Sequence, residues 1–211
     1  MTLQPEHKSK PAHVFKVVFQ SGKPLILDGG HMSREEFYRF CMVNDELHIE
    51  RTSNNQIIVM PPTGSETGIR NAEILAEIVI WNRKTQLGFT FDSSTGFTLS
   101  NGAERAPDCS WIRRDRWEAV PEKEKKRFAR VVPDFVMELR SQDQSLTVLR
   151  EKMDEYRDCG CQLGWLIDPQ NRRTYVYSAN GDIQTVKFET PLSGGDVMPG
   201  LEVKLADIFP E

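Results

Sequence analysis

Three side chains in the middle of the chain have the types and the order to do chemistry together. Asp108 follows Pro107, Glu138 lies near the end of the run "VVPDFVMELR", and Lys152 lies on the charged stretch that follows. Strand side chains alternate between faces. In 131–140 the odd positions (Val131, Pro133, Phe135, Met137, Leu139) are apolar, and the even ones are Val132, Asp134, Val136, Glu138 and Arg140. One face is therefore core throughout, while the other turns charged at its C-terminal end. "APDCSWIRR" reads as a neighbouring strand headed by Asp108, so two strands can bring two carboxylates to one end of a sheet. A carboxylate in a core strand is costly unless paired.

The pairing group is expected from the next helix, about Ser145 to Asp158. Its core stripe is Leu146, Leu149, Met153 and Tyr156, with Glu151, Asp154, Glu155 and Asp158 toward water. Lys152 lies on the flank of that stripe, roughly 60° round from Leu149. From there its apolar stem can run along the core and carry the ammonium over the strand ends. Two carboxylates and a lysine suit phosphodiester hydrolysis. Mg2+ takes oxygen ligands, usually one or two carboxylates plus waters and phosphate. It polarises the phosphoryl group and supplies hydroxide, while a lysine orients water or stabilises charge. The competing reading is a structural ion pair between Glu138 and Arg140.

The elements that must position these groups are legible around them. "MSREEFYRFCMVND" reads as a helix with Ser33 as N-cap and Glu36 completing a capping box. "LHIERTSNNQIIVMPP" reads as a hairpin turning at Ser53-Asn54-Asn55. Residues 66–85 form the longest helical stretch, apolar almost all round and hence expected to be central. "FTFDSSTGFTLS" reads as a hairpin, and "QLGWLIDP" and "RTYVYS" as late strands. The order implies an α/β fold with a mixed sheet flanked by helices. Residues 1–32, with a short strand at Val14 to Phe19, read as an N-terminal arm, and 33–211 as one domain.

Composition narrows the class. Of 211 residues, 38% are hydrophobic and 27% charged, as in a globular protein. No apolar run is long enough for a membrane span, and the first residues lack the apolar centre of a secretory signal. A cytoplasmic location is the expectation. The net charge of −4 argues mildly against nucleic acid, but 113–130 is basic, and distribution outweighs the sum. Cys41, Cys109, Cys159 and Cys161 lack zinc-ligand spacing and read as reduced thiols. His31 and His48 read as surface or hairpin residues.

"PD" at Pro107-Asp108, then "VPDFVMELRS", then "KMDEYRDCGCQLGWLIDP" and "RTYVY", with "LHIERTSNNQIIVMPPTGSETGIRNAEI" upstream, resemble the Uma-type restriction endonuclease family. That family belongs to the PD-(D/E)XK phosphodiesterase superfamily. The resemblance covers about 33–185. It implies a restriction-endonuclease-like core, metal-dependent nuclease chemistry with Mg2+ or Mn2+, and DNA as substrate. Carried over residue by residue, Asp108 is similar to the first metal-binding Asp and Glu138 to the second acidic ligand. The superfamily lysine, normally two after that Glu, is here Arg140, and Lys152 occupies the helix position that replaces it in this family. Glu50 and Glu66 match acidic positions of the front half that approach the metal. Gln142 and Asp143 depart from the family's usual Ser-Pro-acid stretch, and Thr67 stands where a His is frequent. Three function classes follow: an Mg2+-dependent DNA endonuclease working as a homodimer, a catalytically silent nucleic-acid or protein-binding module, and an oligomeric scaffold.

Overall fold

In the computed structural model, which describes residues 24–210, the chain builds two main sheets and places its chemistry where they meet. The expected strand at Val14–Phe19 lies outside the described residues. β1 (Leu25–Asp28), inside the stretch read as an arm, pairs antiparallel with the second strand of the expected hairpin. Ser33 caps α1 (Arg34–Val43) with a complete capping box through Glu36. β2 (His48–Arg51) and β3 (Gln56–Met60) form the hairpin, and Asn55 takes a φ of 63° at its turn. Asn tolerates that left-handed region better than most residues.

α2 (Ser65–Thr85) leads into β4 (Gly88–Asp92), followed by the short strands β5 (Phe97–Thr98) and β6 (Glu104–Arg105) and then β7 (Cys109–Arg113). The basic segment folds into two short helices, α3 (Arg114–Glu118) and α4 (Glu122–Lys125). β8 (Phe135–Leu139), α5 (Leu146–Asp158) and β9 (Leu163–Asp168) follow as a parallel crossover, and β10 (Arg173–Ser178) and β11 (Ile183–Lys187) extend the sheet. A small pair, β12 (Leu192–Ser193) and β13 (Glu202–Val203), and the short α6 (Leu205–Ile208) complete the fold.

The six-stranded sheet runs β11-β10-β9-β8-β7-β4 and is mixed, with β8 and β9 parallel and the other pairs antiparallel. A parallel pair needs a crossover, and α5 is that crossover. Alternation splits the strands between two cores. Phe135, Met137, Trp111, Trp165 and Ile167 face α2 and the C-terminal segment. Val136, Ile112, Leu166, Tyr175 and Tyr177 face Leu149, Met153 and Tyr156 of α5. The second sheet, β1-β3-β2-β6-β5, packs Ile49, Ile57 and Val59 under Phe37 and Cys41 of α1.

Two expectations need correction. α2 is not buried all round: Ile74, Ile78 and Trp81 reach the core, whereas Ile69 is 65% and Ile80 45% exposed. A single sheet face covers one stripe of a helix, and the surplus apolar residues are left in water. The stretch 89–100 is not a hairpin either, because β4 belongs to the six-stranded sheet and β5 to the five-stranded one. Asp92 Oδ1, accepting from the amide and hydroxyl of Ser94, shapes the turn that carries the chain between sheets.

Phe135 is fully buried with its ring edge-on to Trp165, centroids 4.9 Å apart. Phe135→Ala should lower stability by about 3–5 kcal/mol, read as a drop in urea midpoint. A midpoint within error of the parent would show that the core does not centre on this pair.

Candidate active site

β7 and β8 pair antiparallel with Cys109 opposite Met137 and Ser110 opposite Val136. One step further along the register stands Asp108 opposite Glu138. Met137 and Cys109 belong to the α2 side, so alternation turns Asp108 and Glu138 to the α5 side. The Leu139 amide donates to Asp108 Oδ2 at 2.8 Å, which fixes that carboxylate at the end of the ladder.

α5 lays two groups over Glu138, itself 4% exposed. Lys152 Nζ lies 2.8 Å from Glu138 Oε1, and the Tyr156 hydroxyl donates to the same oxygen at 3.1 Å. Positions four apart on a helix share a face. The ammonium also reaches Glu50 Oε1 on β2, again at 2.8 Å. Ile49 points into the α1 core, so its neighbours His48 and Glu50 face the other way, toward the first sheet's junction with α5. Glu50 is held further by the Ala106 amide (2.9 Å) and the Arg105 guanidinium (3.1 Å). Arg105 in turn pairs with Glu155 at 2.6 Å. Glu155, expected to face water, is drawn inward by that buried cation.

The two glutamates that share Lys152 are driven in opposite directions. Burial opposes ionisation of Glu50, but Lys152 and Arg105 outweigh it and hold its carboxyl at about 2. Burial dominates at Glu138, helped by the charges of Asp108 and Glu50, and pushes it up to about 8 against the pull of Lys152. Asp108 is raised as well, chiefly by burial. For Lys152, burial works against the charge, yet Glu138 and Glu50 raise it above its ordinary value, so the side chain is an ammonium.

These groups open into a cleft of about 1060 Å³ lined on other sides by the amino end of α2, Arg140, Arg172 and Phe209. Hydrogen bonds hold Asp108 by Oδ2 and Glu138 by Oε1, and among the described residues no protein donor engages Asp108 Oδ1 or Glu138 Oε2. Two free carboxylate oxygens facing one space fit a hard cation that completes its shell with water and phosphate. Among the described residues, no group of three His, Cys, Asp or Glu side chains is placed to hold a metal ion.

Arg140 makes no ion pair with Asp108 or Glu138 among the described residues. It pairs with Asp168, which is fully buried, at 3.0 Å and donates to the Gln144 carbonyl at 3.0 Å. Glu66 stands at the mouth of the cleft, 75% exposed and paired with Arg70 one turn along α2. Asp134, from the second Pro-Asp of the sequence, lies at the opposite end of β8, accepting from the Arg113 amide and pairing with Arg116. All four cysteines are free thiols. Sequence reasoning missed Arg105 and read Tyr156 as plain core. Tyr156, four residues beyond Lys152, carried a helical signal, whereas Arg105 carried none because its partner is distant in sequence.

A family model described as "Uma2: Putative restriction endonuclease" matches residues 34–206. A solved structure titled as a putative nuclease belonging to DUF820 from Anabaena variabilis superposes with a TM-score of 0.64 at 22% identity. The match covers 76% of this chain and 89% of that one. At that identity the likeness speaks for the fold. No curated protein sequence matches the chain. Among the described residues, no helix is long and apolar enough to cross a membrane.

The opposed shifts predict opposed pH effects on folding in metal-free buffer. Glu138 titrates near 8 when folded and near 4.5 ordinarily. Its contribution to stability is full below about 4.5 and is lost as pH rises through about 8. Glu138→Gln, always neutral, should therefore gain on the parent between pH 5 and pH 8 in urea midpoint. Glu50 has the reverse sign, contributing above about 4.5 and losing that contribution toward about 2. Glu50→Gln at pH 7 should cost roughly 3–5 kcal/mol, the range for breaking a buried pair. A Glu138→Gln advantage that shrinks with rising pH would contradict the assignment.

Proposed function

The chain belongs to the Uma2 restriction endonuclease family, and on that premise we propose that it is a metal-dependent DNA endonuclease whose working groups are Asp108, Glu138 and Lys152. The observation that carries this reading is the pair of opposed carboxylates at one strand end, each with an oxygen free, under a largely shielded lysine that both α5 and β2 constrain. Asp108 and Glu138 would hold Mg2+, or Mn2+ in its place, and a bound ion supplies Lewis acidity and a hydroxide near neutral pH.

The chain's own residues do the rest. Lys152 is held as a cation by two glutamates, so it stays protonated at neutral pH. It donates to the attacking oxygen and offsets the negative charge that grows on the phosphoryl group. Glu50 keeps the ammonium in place and takes no part in ion binding while its two oxygens serve Lys152, Ala106 and Arg105. Tyr156 fixes the rotamer of Glu138. Arg140 does structural work on Asp168, and an arginine is in any case a poor replacement for a compact ammonium.

With Mg2+ and supercoiled plasmid, Asp108→Ala should abolish nicking and Lys152→Ala should reduce it by about 10²–10³, with circular dichroism unchanged. Arg140→Ala should cost less activity. Equal cleavage by the parent and Lys152→Ala would remove the lysine from the account, and a protein that cuts no DNA with any divalent ion would return the fold to a binding role.

Cutting two antiparallel strands is most simply done by two sites related by a two-fold axis, and we propose a homodimer with the hairpin around Asn54 as a contact element. Sedimentation equilibrium at micromolar concentration should give twice the chain mass. A single species of one chain mass would refute it.

A further inference from the structure

Two side chains in the cleft have a buried polar atom that no described residue bonds. His48 Nε2 on β2 and Asn71 Oδ1 on α2 are shielded from solvent and have no hydrogen-bond partner among the described residues. Both residues line the cleft that contains Asp108, Glu138 and Lys152. They come from different elements, one from the first sheet and one from the long helix. His48 is two positions from Glu50 on the same strand face. It lies near both Asp108 and Glu50. Buried polar groups in folded proteins are nearly always bonded, so an orphan lining a cleft is open to a partner that enters the cleft.

The chemistry of the cleft selects that partner. Anionic oxygens already crowd the centre, and His48 offers an N–H there. The amide of Asn71 exchanges Oδ1 for Nδ2 by a half-turn, which puts a second donor in the same place. Neutral N–H donors on two walls, beside a cation-binding pair, suit the non-bridging oxygens of a phosphodiester. They add hydrogen bonds without adding net charge to a site that must also hold a metal ion.

We propose that His48 and Asn71 grip a backbone phosphate of the nucleic-acid strand from two sides of the cleft, setting its position against Asp108 and Glu138. The inference rests on the nuclease reading and adds two substrate-binding residues to it. Among the described residues neither side chain makes a hydrogen bond, so truncating either leaves the hydrogen bonds of β2 and α2 intact.

The test measures binding apart from cleavage. A short fluorescein-labelled duplex is titrated by anisotropy with the full chain in a Lys152→Ala background, with Ca2+ in place of Mg2+. Added His48→Ala or Asn71→Ala should each raise Kd by roughly three- to tenfold, the value of one neutral hydrogen bond. His48→Gln, which keeps an N–H, should restore much of the loss. Asn71→Asp should bind worse than Asn71→Ala, because a carboxylate repels phosphate. The melting temperature of each free variant should stay within error of the background protein. Unchanged Kd in both alanine variants would overturn the inference while leaving the nuclease reading in place, as would Asn71→Asp binding more tightly than Asn71→Ala. A parent chain that neither binds this duplex nor cuts plasmid would overturn both.

Discussion

One ammonium ion holds the site together. Lys152 Nζ sits 2.8 Å from a carboxylate oxygen on each of two sheets, Glu50 from β2 and Glu138 from β8. Three elements that are distant in sequence thereby converge on one charge. Without the lysine Glu138 would be a buried carboxylate with no cation beside it among the described residues, and without its glutamates the lysine would be a shielded cation with no counter-ion. The stem of Lys152 reaches this position because Leu149, Met153 and Tyr156 seat α5 against β9 and β10.

The ammonium is not shared evenly in effect. Glu50 also has Arg105 and a backbone amide, whereas Glu138 faces Asp108 across the strands and is pushed up to about 8. Glu50 thus serves as the structural counter-ion. Glu138 is the strained member, with a free oxygen that an incoming cation would relieve. Functional sites characteristically keep such tension and pay for it elsewhere. Here the surrounding ion pairs, Arg105 with Glu155 and Arg140 with Asp168, compensate further charge beside the site.

Local signals in the sequence were sufficient for much of this. Period-two alternation in 131–140 separated the core face from the charged one. The capping box at Ser33 and the turn at Asn55 marked α1 and the hairpin. Lys152 could be placed on the flank of its helix from the spacing of Leu149 and Met153. Contacts between distant segments left no such mark. Nothing local announces that Arg105 neutralises Glu50, that β4 and β5 part into different sheets, or that His48 turns into the cleft because Ile49 beside it fills the α1 core. The exposed Ile69 and Ile80 misled for a related reason, since hydrophobicity alone does not say how many faces of a helix a sheet will cover.

The central claim is that Asp108 and Glu138 form one cation site beneath Lys152, and diffraction tests it most directly. Crystals soaked in Mn2+ should give an anomalous peak between the two side chains, about 2.1 Å from Asp108 Oδ1 and from Glu138 Oε2, as for a hard cation in octahedral oxygen coordination. Lys152 should remain on Glu50 in that map. A map with no peak between these carboxylates at saturating Mn2+, or with its peak elsewhere in the chain, would contradict the account.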